Sequence, residues 1–132
     1  VDQAISVAGI LFSEDKFCLG LRQPGGDVGG LWEFIGGKID PGETPRQALK
    51  REFIEELDLP VSVGPLIASG RFAHRGRDFW LWGFLVKPFR SLISPGPDHQ
   101  KLQWFSLTEL RALDLVPSDS SLLPDIQSYF AK

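Results

Sequence analysis

Three glutamates, Glu52, Glu55 and Glu56, stand at positions i, i+3 and i+4 of one segment. In a helix that spacing gathers the carboxylates within an arc of about 100°, where they repel by a few tenths of a kcal/mol per pair in water and by more where water is partly excluded. A hard divalent cation relieves the repulsion. Mg2+ takes octahedral oxygen ligands from one or two carboxylates together with water and phosphate, so the chemistry such a trio can serve is metal-assisted hydrolysis at phosphorus. The competing reading is a solvated acidic face balanced by Lys50 and Arg51. Leu49, Phe53 and Leu57 recur every four residues beside the carboxylates, which places Glu52 and Glu56 near the edge of a core.

The residues ahead of the trio decide between the two. Gly37 is followed after five residues by Glu43, after seven more by Arg51-Glu52, and then by Glu55-Glu56 with Leu59 beyond. This spacing, Gly-x5-Glu-x7-Arg-Glu-φ-x-Glu-Glu-x-x-φ, resembles the signature of the Nudix hydrolases. Two positions depart from it: Phe53 replaces an aliphatic residue, and Asp58 stands where the family has a glycine in the left-handed helix cap. Neither removes a ligand.

The resemblance implies an α/β fold, a mixed sheet sandwiched between helices, and cleavage of a nucleoside triphosphate to the monophosphate and pyrophosphate with Mg2+, for which Mn2+ can substitute. It implies that Glu52 and Glu56 bind the metal, that Glu55 helps through metal or water, and that the Gly36 carbonyl is a further ligand. Arg51 would orient a glutamate, with Glu43 the expected partner. The likeness is closest to the MutT-type and CTP pyrophosphohydrolase branches, through Leu31-Trp32-Glu33-Phe34, Trp104 and Pro117-Ser118-Asp119. In that comparison Arg22 meets substrate phosphate, Phe34 lines the base pocket, and Asp98 is a loop carboxylate for metal binding or base catalysis. From the residues alone Asp98, in a polar loop, reads as a solvated turn residue sooner than a catalytic one. A Nudix-like module that binds a nucleotide without cutting it is the rival from another class, and the intact glutamate set counts against it.

Asp119 falls where MutT-type enzymes carry an asparagine that reads a purine. Asparagine donates and accepts, whereas an ionised aspartate only accepts. Acceptance suits the N4 amino group of cytosine; the O6 of 8-oxoguanine wants a donor. The expectation is therefore a cytosine-type triphosphate, with 8-oxo-dGTP the alternative. The structural alternative is that Asp119 caps the last helix. Arg77, between two strands, is either a phosphate contact or part of an exposed basic hairpin tip.

The elements that must position these groups follow from turn and cap signals. Residues 4–12 and Lys16–Arg22 read as a hairpin turned at Ser13-Glu14-Asp15, with Cys18, Gly20 and Arg22 on one face of the second strand. The glycine-rich stretch 25–30 lacks the Gly-Lys-Ser/Thr ending of a phosphate loop. Residues 31–35 read as a strand, and Pro41-Gly42 as the centre of a type II turn. Thr44, Pro45 and Gln47 make an N-cap, a first-position proline and a capping box for a helix that Pro60 ends. Strands over 61–73 and 78–86 join through His74-Arg75-Gly76-Arg77; a polar loop over 91–99 leads to a strand at 102–105, a short helix at 107–113 and a closing helix at 122–130. His74 and His99 are expected in surface loops.

With 132 residues, 42% apolar and 23% charged, the chain fits one domain with its own core. A net charge of −3 argues against a long nucleic acid as partner, while a small nucleotide remains accessible through a bridging cation. Apolar runs are too short for a bilayer, and the absence of a secretory leader pattern makes the cytoplasm the expected location. Cys18 has no second cysteine to pair with and reads as a small buried hydrophobe.

Overall fold

The computed structural model describes residues 4–91 and 93–131; Leu92, inside the expected 91–99 loop, lies outside them. Alternation along the first strand, β1 (Ala4–Ser13), sets the architecture. Val7 and Leu11 enter one apolar cluster while Ala8 and Ile10 enter another, so β1 is buried on both faces and both must be covered. It turns into β2 (Lys16–Arg22) through Glu14 and Asp15, whose φ of 51° and 63° give the twist a two-residue hairpin favours.

The expected single strand over 31–35 is two. β3 (Trp32–Glu33) pairs with β2, and β4 (Ile35–Lys38) pairs with β1. The break falls at Phe34, whose N–H is donated to the Asp119 carboxylate at 2.7 Å, so the chain changes partner there.

The first helix, α1 (Pro45–Leu57), starts as expected: Thr44 Oγ1 accepts from the Gln47 N–H at 3.1 Å and Gln47 Oε1 from the Thr44 N–H at 2.9 Å. A long hairpin follows, β5 (Val61–His74) and β6 (Arg77–Pro88), with β6 parallel to β1, which makes the sheet mixed. β7 (His99–Phe105) begins three residues before the expected 102 and pairs with β2. Then come α2 (Leu107–Ala112), α3 (Pro117–Ser120) and α4 (Leu123–Phe130). Leu49, Phe53 and Leu57 of α1 cover one face of the sheet; Leu110, Leu122 and Ile126 cover the other. Among the described residues no helix is long and apolar enough to cross a membrane.

α1 ends on Asp58 in the left-handed conformation, φ 51° and ψ 41°, its N–H returned to the carbonyls of Ile54 and Phe53. A side chain there is strained, and a carboxylate at a helix C-terminus opposes the helix dipole. Asp58→Gly is expected to raise stability by about 0.5–1 kcal/mol, read as a higher denaturant midpoint at unchanged m-value. An unchanged or lower midpoint would show that the strain is already relieved.

Candidate active site

Glu52, Glu55 and Glu56 project from α1 beside β4. The Glu52 carboxylate lies so close to Gly37 that a Cβ on that residue would displace it. Arg51 organises the acids from behind. Its Nε donates to Glu43 Oε2 at 2.7 Å and its Nη2 to Glu43 Oε1 at 3.0 Å and the Lys38 carbonyl at 2.9 Å. Its Nη1 donates to Glu52 Oε1 at 2.7 Å and Glu55 Oε1 at 3.0 Å. The Arg51 hydrogen bond, then the Asp40 N–H, hold Glu43 below the usual carboxylate range, and Glu43 and Glu52 in turn raise the guanidinium pKa, so both sides stay charged.

Glu56 is the exception. Its pKa is pushed up to about 9, by burial first and then by the negative charges of Glu52, Glu33 and Asp98. Its Oε2 is buried with no hydrogen-bond partner.

The acids open onto a cleft of about 660 Å³ whose walls include Glu52, Glu55, Glu56, Asp98, Arg22 and Gly36. A smaller cavity of about 150 Å³ is lined by Phe34, Phe72, Leu81, Ser118 and Asp119. The two share the walls Ser6, Glu33, Gly36 and Gly37. One is lined by acids; the other mixes aromatic and aliphatic walls with polar ones, and its buried carboxylate is Asp119. Asp119 Oδ2 accepts the Phe34 N–H, Oδ1 accepts from Ser118 Oγ at 3.3 Å, and burial outweighs the Phe34 bond to push its pKa up to about 7.

The NUDIX domain family matches residues 2–126. The chain belongs to the Nudix family. It is 39% identical over 117 residues to an Escherichia coli CTP pyrophosphohydrolase, covering 89% of this chain and 86% of that one. It is 33% identical over 96 residues to an E. coli 8-oxo-dGTP diphosphatase, covering 72% and 73% of the two chains. The solution structure of the E. coli ORF135 protein superposes with a TM-score of 0.88 at 35% identity, over 100% of this chain and 94% of that one. A MutT protein from Methanosarcina mazei shares the fold, with a TM-score of 0.81 at 19% identity over 100% and 99%.

Nudix hydrolases act with a divalent metal, and the residues of this Nudix chain fit one. The orphaned Glu56 oxygen and the mutual repulsion that lifts Glu56 are what a hard cation between oxygen ligands would resolve. Glu33, Glu56 and His99 also each offer a ligand atom within 4.8 Å of one another.

The fold brings Arg22, Gly36, Glu52, Glu55, Glu56 and Asp98 onto one cleft, and Phe34 and Asp119 onto the adjoining cavity. Glu43 and Arg51 sit behind the cleft and are not on its wall. Arg77 lies at the exposed β5–β6 tip with its guanidinium 5.4 Å from the Phe79 ring centre, outside both linings. Asp119 does not cap the last helix: the cap position of α4 is Leu122, which makes no side-chain cap bond, and the Asp119 oxygens are turned to Phe34 and Ser118.

His99 corrects the expectation of a surface loop. It opens β7 with its side chain 0% exposed, because pairing with Arg22 of β2 draws it into the sheet. Its partner Glu33, on the wall of both cavities, was not singled out by motif spacing. The available signal was Gly20, a glycine inside an alternating strand, which marks a close approach.

Proposed function

We propose that this Nudix hydrolase cleaves the α–β phosphoanhydride bond of a nucleoside or deoxynucleoside triphosphate, releasing the monophosphate and pyrophosphate. CTP, dCTP or a 5-modified dCTP is the preferred substrate and Mg2+ the cation, with Mn2+ able to replace it. The activity in the name of the E. coli CTP pyrophosphohydrolase supports the reaction. The observation that carries the base preference is the buried Asp119 carboxylate in a small cavity, walled partly by Phe34, Phe72 and Leu81, that adjoins the acidic cleft.

Glu52, Glu55, Glu56 and the Gly36 carbonyl would hold the cation. Bound there, it neutralises phosphate charge and lowers the pKa of the attacking water. Asp98, on the cleft wall, is placed to take the water's proton, and Arg22 offers its guanidinium to the phosphates. Arg51, tied to Glu43, keeps Glu52 and Glu55 in place without touching substrate. Phe34 and Asp119 receive the base, the carboxylate accepting from the cytosine N4 amino group.

A second reading, hydrolysis of 8-oxo-dGTP, is favoured by one observation. With a pKa near 7, Asp119 is protonated on the acid side of neutrality and then has a hydrogen to give to the O6 acceptor. Pyrophosphate release over a nucleotide panel with Mg2+ separates the two. At pH 8 the wild type is expected to favour dCTP, Asp119→Asn to shift selectivity toward 8-oxo-dGTP, and lower pH to shift the wild type the same way. A wild type that already favours 8-oxo-dGTP tenfold at pH 8, about 1.4 kcal/mol in kcat/KM, overturns the cytosine reading.

A further inference from the structure

Strand β2 lies between β3 and β7, and a side-chain bridge crosses it. Gly20 of β2 is paired with Glu33 of β3 on one side and with Leu102 of β7 on the other. The His99 imidazole reaches from β7 over Gly20 to Glu33, with Nε2 and Glu33 Oε2 2.8 Å apart. A Cβ at Gly20 would collide with that ring, so β2 leaves out a side chain where the imidazole passes. Two residues on, the β2–β7 register shifts between Leu21 and Arg22, and such a bulge re-aims the side chain beside it. Arg22 Nη1 then meets both oxygens of the same glutamate, at 3.1 and 3.2 Å.

We propose that His99 is a positioning residue for substrate binding: its Nε2–H fixes the Glu33 carboxylate, and Glu33 fixes the Arg22 guanidinium on the cleft wall. The inference rests on the reading of Arg22 as a phosphate contact. A histidine kept only for packing would not be held with Nδ1 buried and unpartnered, a cost that an apolar residue of similar size avoids. Among the described residues, the hydrogen bond its imidazole makes is to the glutamate that holds Arg22. Glu33 therefore has a donor on each side, buried His99 behind and half-exposed Arg22 in front. With the Glu33 carboxylate pinned, the Arg22 guanidinium on the cleft wall is held in one orientation, which lowers the entropy lost when phosphate binds.

The test compares KM and kcat for dCTP in His99→Leu, His99→Gln, Arg22→Ala and the Arg22→Ala/His99→Leu double variant, with thermal melts to verify folding. Glutamine places its amide nitrogen near the position of Nε2 and keeps the donor; leucine does not. His99→Leu is expected to raise KM about tenfold with kcat changed far less, the size of effect seen when a supporting hydrogen bond is removed. His99→Gln should stay within about threefold of wild type, and the double variant should be no worse than Arg22→Ala. If His99→Leu does not fold, His99→Asn, whose shorter amide falls short of Glu33, takes its place against His99→Gln. Equal KM in the leucine (or asparagine) and glutamine variants, or losses that add in the double variant, would refute the positioning role. So would a loss that appears as a raised metal concentration for half-activation at unchanged KM, because His99 would then be a ligand. An Arg22→Ala variant with normal KM removes the phosphate reading itself; a raised KM there with a normal KM in His99→Leu removes only the role of His99.

Discussion

Glu56→Gln is expected to lower kcat by on the order of 10³-fold or more while the fold persists, because a ligand to the cation is worth several kcal/mol of charge stabilisation and each 1.36 kcal/mol is tenfold in rate. Glutamine has the same shape and cannot supply the second anionic oxygen. The folded state should not suffer, since the wild-type carboxylate is held against burial and against Glu52, with one oxygen unpartnered. The sign of the pH effect follows. Glu56 has a folded pKa of about 9, above its ordinary 4.5, so its contribution to stability is fully present below pH 4.5 and is lost as pH rises through 9. In chelator, the melting temperature of the wild type should therefore fall from pH 5 to pH 9 more steeply than that of Glu56→Gln, and Mg2+ should remove the difference. Undiminished turnover of the wild type in excess chelator would sink the metal mechanism, and parallel melting profiles would sink the account of Glu56.

What could be read from the sequence was what is local in the chain. The α1 helix declares itself locally, by Thr44, Pro45 and Gln47 at its start, by the Leu49-Phe53-Leu57 stripe, and by Pro60 just beyond its end. The acids ride on that helix, so their gathering is a consequence of the 3.6-residue period. The hairpins were legible for the same reason, their turns lying between adjacent strands. The other half of the site is made by pairing across the sheet. Glu33 and His99 are 66 residues apart, and Phe34 and Asp119 are 85 apart. No spacing rule links them, because their meeting depends on β3 and β7 flanking β2 and on α3 closing over the point where β3 gives way to β4. The resemblance supplied Phe34 and Asp119 as positions; the structure adds that one holds the other through a backbone hydrogen bond.

Arg51→Ala is the harsher test of how the acids are held. Arg51 is not on the cleft wall, yet it bonds Glu43, Glu52 and Glu55 and the Lys38 carbonyl, so it connects the loop before α1 to the carboxylates on it. Removing it leaves Glu43 and Glu52, whose side chains are only 20% and 15% exposed, without their counter-charge. They should then move apart or take up protons, and Glu52 should leave the position in which it faces Glu56. The expected result is a fall in kcat of about 10–100-fold with KM little changed, the usual size when the group that orients a metal ligand is lost, accompanied by a lower melting temperature. Arg51→Lys should recover only part of the loss, because one ammonium cannot reproduce a fork that bonds three carboxylates and a carbonyl at once. Kinetics with dCTP at saturating Mg2+, together with thermal melts of both variants, decide the matter. A raised KM at normal kcat would place Arg51 against the substrate and overturn its orienting role, whereas a kcat loss that the lysine variant fully repairs would reduce that role to charge alone.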